Sequence, residues 1–108
     1  MKLPYIRKLA TVGPIVVWLV DGLWVRTNCY LDFICGGHSR RYDFIPDGQV
    51  WIDNSQPKEE WAFITAHELF EYALMDKQMK YGQAHPMANE MEKLLRGIQQ
   101  QAGKALND

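Results

Sequence analysis

The stretch H-E-L-F-E at residues 67–71 contains side chains that could bind and use a metal ion. It lies inside a longer run, residues 57–79, whose pattern favours a helix. His67 and Glu71 are four residues apart and therefore share one helix face, where a neutral imidazole and a carboxylate can bind the same ion. Glu68 projects about 100° round the helix from His67. It is therefore placed to act as a base toward a metal-bound water.

The spacing is that of the zinc-binding H-E-x-x-H helix, with Glu71 in place of the second histidine. A helical wheel surrounds His67 and Glu71 with apolar residues, namely Phe63, Ile64, Phe70 and Leu74. An ionised glutamate on such a face needs a partner, because burial of an unpaired charge is costly. A metal ion would be one such partner. The sequence leaves open the alternative of a buried His–Glu hydrogen bond or an ion pair with an arginine or lysine.

A catalytic zinc needs a third protein ligand, and His85 is the preferred candidate. It follows an expected turn at Gly82 and stands at the mouth of a second helix, which could return it to the first. Two histidines and one carboxylate form the ligand set of thermolysin-type sites. Such a set leaves the zinc site with a net charge of about +1, which lowers the pKa of a bound water. The alternative for His85 is a surface or helix-capping role.

Glu92 lies two helical turns beyond His85 and therefore on a similar face of the second helix. Two interpretations stay open. As an outer carboxylate, Glu92 would orient His85 by accepting a hydrogen bond from its ring. As a fourth ligand, Glu92 would close the coordination sphere and argue against catalysis.

The N-terminal half predicts a small, mostly antiparallel sheet built of hairpins. Residues 5–9 could form a short helix, and the apolar, β-branched run 15–20 is typical of a buried strand. Asp21-Gly22 is typical of a two-residue hairpin turn, which makes 23–27 the returning strand. The later segments are an apolar or alternating stretch at 30–34, a flexible loop at 36–39, and strands at 41–45 and 50–53.

Two helices are predicted after this sheet. The first runs from Pro57 to about Lys80 and stops at Gly82, since proline suits a first helical turn and glycine a helix end. The second starts at Pro86, carries an apolar stripe for core packing, and is expected to fray beyond Ala102.

Length and composition favour one globular domain. The chain has 108 residues, of which 47% are hydrophobic and 23% charged, enough for a single modest core. We therefore expect one α+β domain over residues 1–108, with the sheet packed on the long active-site helix and the second helix. The net charge of −1 and the short basic run Arg40-Arg41 give no basis for binding nucleic acid. The apolar run 12–20 is too short to span a membrane and no cleavage site follows it, which favours a cytoplasmic protein.

Residues 50–92 resemble small zincin-like metallopeptidase domains related to gluzincins, in which a second helix supplies the last metal ligand. The resemblance is strongest to minimal members of phage or prophage type, whose pattern is H-E-x-x-E, a tyrosine, A-H-x-x-A and a glutamate. This chain has Tyr81, then A-H-P-M-A at 84–88, then Glu92. The Gly-Gly-His loop also looks like part of that family. A phage-encoded protein of this kind would act in the host cytoplasm or the virion.

The resemblance implies a zinc site with three ligands, His67, Glu71 and His85. Glu68 would be the general base and acid in peptide-bond hydrolysis, and Tyr81 or Tyr72 would steady an oxyanion. The strand at 50–53 would be an edge strand that pairs with an extended peptide substrate. The glutamate at position 71 departs from H-E-x-x-H enzymes and makes zinc a weaker Lewis acid, because a carboxylate donates more charge.

Other interpretations of the same residues stay open. One is a non-catalytic metal-binding or phage structural domain with four protein ligands. Another is a metal-free interaction domain with a buried His–Glu network. A third is a site formed by Cys29, Cys35 and His38, whose spacing is not that of a standard zinc finger. Manganese or iron could replace zinc, and the sequence defines neither the substrate nor the oligomeric state.

Overall fold

The computed structural model describes residues 4–107, and the side chains of residues 4–103. Within them the fold is α+β, as the sequence predicts. In chain order the elements are β1 (Tyr5–Val12), β2 (Ile15–Val20), α1 (Gly22–Asn28), β3 (Gly36–His38), β4 (Gln49–Asp53), a 3₁₀ turn (Lys58–Glu60), α2 (Trp61–Asp76) and α3 (Tyr81–Asn107). The strands form one four-stranded sheet in the order β1-β2-β4-β3. Helix α2 packs on β3 and β4, and α3 packs on α2.

The sheet is mixed, which differs from the expected antiparallel arrangement at its centre. β1 and β2 form an antiparallel hairpin, and β3 pairs antiparallel with β4. β2 and β4 are parallel, with Val17 opposite Val50 and Leu19 opposite Ile52. A parallel pair cannot be joined by a tight turn, so the chain crosses over through α1 and residues 29–48, which are irregular apart from β3.

Both faces of the central strands are buried, which explains their nearly continuous apolar sequences. On one face four buried side chains of β2 and β4 pack against Ile64 and Tyr72 of α2. On the other face Trp51 packs with Val25 of α1 and with Phe33. The sheet is therefore a rigid floor, and α2 is fixed on it by its apolar face.

Two local predictions in the first 28 residues are wrong. Residues 5–9 are the start of β1 rather than a helix, because the edge of β2 supplies backbone partners along their length. Residues 23–27 lie in α1 rather than in a returning strand. Asp21 acts as an N-cap, since its Oδ1 accepts a hydrogen bond from the backbone N–H of Trp24 at 3.0 Å. Gly22 does not form the expected hairpin turn. A glycine is needed there because a Cβ would collide with the carboxylate of Asp53.

The irregular middle of the chain also differs from prediction. Residues 30–34 and 41–45 form turns and bends, whereas part of the expected loop at 36–39 forms β3. β4 lies between β2 and β3, so residues 50–53 are not an edge strand. β3 takes that place at the edge of the sheet, and α2 packs on it.

The helices are confirmed in kind, but their boundaries differ from the predicted ones. Helix α2 ends at Asp76, and Gln78 in the turn that follows has φ 77°, a left-handed conformation that stops a helix. Helix α3 begins at Tyr81, before Pro86, and continues past Ala102 to Asn107. No helix within residues 4–107 is long and apolar enough to cross a membrane.

Candidate metal centre

Three side chains that the sequence singles out meet where α3 returns across α2. Glu71 Oε2 lies 3.4 Å from Nε2 of His67 and 2.8 Å from Nδ1 of His85. One ligand atom from each residue lies within 4.8 Å of the other two. His67 and Glu71 are buried, at 6% and 2% exposure, while His85 is only partly buried. The short turn between the two helices thus brings His85 back to the H-E-x-x-E face.

This donor set fits a divalent metal ion. Two ligands bound to tetrahedral zinc at about 2.0–2.1 Å are roughly 3.3 Å apart. The 3.4 Å between His67 and Glu71 meets that spacing, and the closer His85 has to move by only a fraction of an ångström. The group of His67, Glu71 and His85 could therefore hold a metal ion, with His85 facing the solvent side.

His38 is part of this centre, although the sequence offered it only as a partner of the two cysteines. Its Nδ1 accepts the backbone N–H of Arg40 at 3.2 Å, so its Nε2 carries the proton. That Nε2 donates to Oε1 of Glu71 at 2.8 Å, and the His38 ring is fully buried. Glu71 is thereby held by one oxygen while its other oxygen faces His67 and His85. Such an outer hydrogen bond orients a carboxylate ligand.

The two glycines before His38 are the sequence feature from which the role of His38 could have been predicted. A Cβ on Gly36 would lie 2.7 Å from the backbone oxygen of Trp51, and a Cβ on Gly37 would lie 2.7 Å from the Tyr42 ring. Small residues are therefore required for β3 to approach its neighbours and place His38 against Glu71. His38 also forms a second potential metal-ligand group, with Glu68 and Glu71.

The alternative site built on cysteines is not assembled. Cys29 is exposed and Cys35 partly buried, and both are free thiols. Among residues 4–103, no cysteine belongs to a cluster of three ligand side chains. His38 instead uses its Nε2 for Glu71.

Glu92 lies beside His67 rather than beside His85. Its Oε1 is 3.0 Å from Nδ1 of His67, on the other ring nitrogen from the one that faces Glu71. The direction of approach does not make a hydrogen bond, and this buried Nδ1 has no other partner among the described residues. The second oxygen of Glu92 accepts a hydrogen bond from Nε of Arg96 at 3.0 Å. Glu92 is thus placed to orient His67 after a small rotation, and it is not in the group that could bind metal.

Glu68 is buried on the Nε2 side of His67, the side that also faces Glu71. Its Oε2 is 3.8 Å from Nε2 of His67, and 9% of the residue is exposed. Burial, reinforced by the neighbouring charge of Glu71, raises the pKa of Glu68 to about 8. A carboxyl group with such a pKa can exchange a proton near neutral pH, as a general base must.

The neighbours of Glu71 have the opposite effect on its acidity. Burial alone would raise the pKa of Glu71, but hydrogen bonds with His38, His67 and His85 hold it far below its ordinary value. The hydrogen bond with Glu71 in turn raises the pKa of His67 against the effect of burial. Glu71 is therefore ionised at neutral pH, as a metal ligand must be.

A cavity of about 300 Å³ opens onto these residues. Tyr81 lines it and stacks on His85, with ring centroids 5.1 Å apart. Burial raises the pKa of the Tyr81 hydroxyl, which therefore keeps its proton at neutral pH and can donate a hydrogen bond. Tyr72, the other candidate for an oxyanion donor, does not line the cavity and packs in the core against His38.

Comparisons with protein-family models, with curated proteins and with solved structures found no match to this chain. The resemblance to zincin-like metallopeptidases therefore stays a prediction from the sequence motifs, which these comparisons do not test.

Proposed function

We propose that this protein is a zinc-dependent metallopeptidase-like hydrolase with His67, Glu71 and His85 as metal ligands. The observation that carries the proposal is the convergence of two imidazoles and one carboxylate in a cavity that Glu68 also lines. Zinc suits this donor set, and manganese or iron is the alternative. Bound there, zinc would lower the pKa of a water molecule and polarise a substrate carbonyl.

The side chains around the site would transfer protons, stabilise developing charge and position the substrate. Glu68 would accept the proton of the attacking water and deliver it to the leaving amine. Tyr81 would donate a hydrogen bond to the oxygen on which charge develops. An extended peptide could lie along the cavity beside Cys35 and Gly36, which line it.

The competing proposal, a non-catalytic metal site, needs a fourth protein ligand that closes the coordination sphere. Glu92 is the sequence candidate for that ligand. Its carboxylate lies at Nδ1 of His67, whereas the other two ligands face Nε2. This placement favours a site with one open position. A phage or prophage origin, and action in the cytoplasm or virion, remain predictions from the resemblance.

Elemental mass spectrometry of the purified, tag-free protein tests the proposal, with wild type beside His85→Ala. We expect one equivalent of zinc in the wild type and a clear loss in the variant. Zinc-loaded wild type would then be incubated with a mixture of unstructured peptides, and new termini counted by mass spectrometry. Absence of bound metal after incubation with zinc would refute the metal site. Zinc binding without any cleavage would leave the non-catalytic alternative.

A further inference from the structure

A stack of side chains leads from the candidate metal centre to the mouth of the cavity. Tyr81 lies nearly parallel to His85, at an interplanar angle of 20°. The guanidinium carbon of Arg41 lies 4.0 Å from the centroid of the Tyr81 ring and 5.6 Å from that of Tyr42. All four side chains line the cavity. Only the Tyr81 ring thus separates an exposed guanidinium from a candidate metal ligand.

Arg41 lacks a carboxylate partner among residues 4–103, which sets it apart from the arginines near it. Arg96 also lines the cavity, but Glu60 and Glu92 accept its hydrogen bonds. Arg40, the residue before Arg41, forms ion pairs with two aspartates outside the cavity. Stacking on an aromatic face holds a guanidinium in place and leaves its N–H edge free for a planar anion.

We infer that Arg41 is a binding site for a carboxylate group of the substrate, at the mouth of the cavity that the candidate metal ligands line. Guanidinium and carboxylate match in a bidentate geometry, and a charge-assisted pair is strong at the edge of a cavity. The identification of the ligand as a peptide rests on the proposed function.

The carboxylate could be a free C-terminus or the side chain of an aspartate or glutamate. Four peptides separate these sources: N-acetyl tetra-alanine as the free acid and as the amide, and the N-acetyl, C-amide sequences A-A-D-A-A and A-A-N-A-A. Their binding would be measured by calorimetry to zinc-loaded protein carrying Glu68→Gln, which cannot turn over. Arg41→Gln is then added to that protein, with Arg40→Gln as the matched control.

We expect one acidic peptide to bind roughly tenfold or more tightly than its neutral twin. The preference should disappear with Arg41→Gln and survive Arg40→Gln, and the pair that shows it identifies the source of the carboxylate. Equal binding of acid and amide, an unchanged preference in Arg41→Gln, or no binding of any peptide would overturn the inference. Carboxylate binding in a protein that cuts no peptide would refute only the hydrolase. Cleavage of acidic and neutral peptides at equal rates would refute only the role of Arg41.

Discussion

His38 and Glu71 join the edge strand of the sheet to the centre of α2 through a buried hydrogen bond of 2.8 Å. The bond fixes which oxygen of Glu71 is held by the protein and which faces the candidate metal ligands. Because Nδ1 of His38 accepts a hydrogen bond from the backbone N–H of Arg40, the proton of the neutral ring is on Nε2, which donates to Glu71. A residue thirty-three positions away in sequence therefore controls the geometry of the H-E-x-x-E glutamate.

The first prediction concerns this hydrogen bond. His38→Ala should weaken zinc binding about 10–100-fold, as loss of an outer hydrogen bond to a metal ligand generally does. His38→Gln should recover part of the affinity, because its amide can also donate to Glu71. Competition against a chromophoric chelator gives the affinities, and circular dichroism checks the fold. An unchanged affinity in folded His38→Ala would show that Glu71 needs no such support.

The second prediction separates the roles of Glu68 and Glu71, the two glutamates of the H-E-x-x-E stretch. Glu68→Gln should keep one equivalent of zinc and lose peptide hydrolysis by about 10²–10⁴-fold, since only the proton acceptor is removed. Glu71→Gln should lose the zinc itself, because a neutral amide replaces an anionic ligand. Metal content and initial cleavage rates, measured on the same preparations, make the comparison. Zinc loss in Glu68→Gln would contradict its assignment as a base.

The H-E-x-x-E helix and its return partner could be predicted from sequence because their signals are local. His67 and Glu71 share a face through helical periodicity, and a short turn between two helices returns His85 to that face. Their assembly in the structure follows those rules. The role of His38 could not be predicted in this way, because it depends on strand β3 pairing with β4 and on close packing around two glycines.

The sheet was harder to predict for the same physical reason. Asp21-Gly22 satisfies the rule for a hairpin turn, yet the Asp21 side chain caps a helix instead. Because residues 23–27 are helical, β2 pairs in parallel with the distant β4 instead of with a returning strand. No local sequence pattern encodes that pairing. Residues 5–9 adopt a strand because β2 offers an edge, which is a tertiary effect that overrides local preference.

The third prediction tests whether Glu92 is a ligand or an outer partner. Glu92→Gln should retain one equivalent of zinc with at most a 10–100-fold loss of affinity, since the carboxylate lies at the far nitrogen of His67. Glu90→Gln is the matched control, because Glu90 is exposed on the same helix and, among residues 4–103, forms an ion pair only with Lys93. Loss of zinc in Glu92→Gln comparable to that in His85→Ala would instead identify a four-ligand, closed site.

The fourth prediction concerns pH. Zinc must displace protons from its histidines, and the pKa of His67 is raised by its hydrogen bond with Glu71. When the pH is lowered, zinc affinity should therefore begin to fall while the pH is still above about 6.5, the ordinary pKa of histidine. It should decrease further in more acidic solution. The pKa of Glu71 is depressed, so protonation of this ligand contributes only at much lower pH. Chelator competition between pH 5.5 and 8.5 measures the slope, and a flat profile would exclude histidine ligation.

The metal-free protein should show the opposite trend. Glu68 has a folded-state pKa of about 8, above its unfolded value of about 4.5, so its burial favours the protonated form. A raised folded-state pKa at His67 likewise stabilises the fold only while the ring is protonated. Both effects make stability fall as the pH rises from about 5 to 8. Thermal unfolding with and without zinc should therefore show a zinc-induced increase in Tm that grows with pH.

The fifth prediction concerns the ion pair that holds the segment before β3. Arg26 donates one hydrogen bond to Oδ2 of the buried Asp53 at 2.7 Å and another to the backbone oxygen of Phe33 at 3.1 Å. Removal of Arg26 leaves the carboxylate of Asp53 buried without its cation. Since Arg26 itself is partly exposed, solvent screening reduces the cost, and Arg26→Ala should lower the free energy of unfolding by about 2–3 kcal/mol.

Urea denaturation measures this loss, and Arg40→Ala is the control, because its ion pairs are exposed and are worth less than about 1 kcal/mol. The effect of Arg26→Ala should also reach the candidate metal centre. The segment that Arg26 holds leads directly into β3, and a looser β3 would position His38 less firmly against Glu71. Zinc affinity should therefore fall in Arg26→Ala and not in Arg40→Ala. Equal stability and equal zinc affinity in the two variants would show that the ion pair does not support the centre.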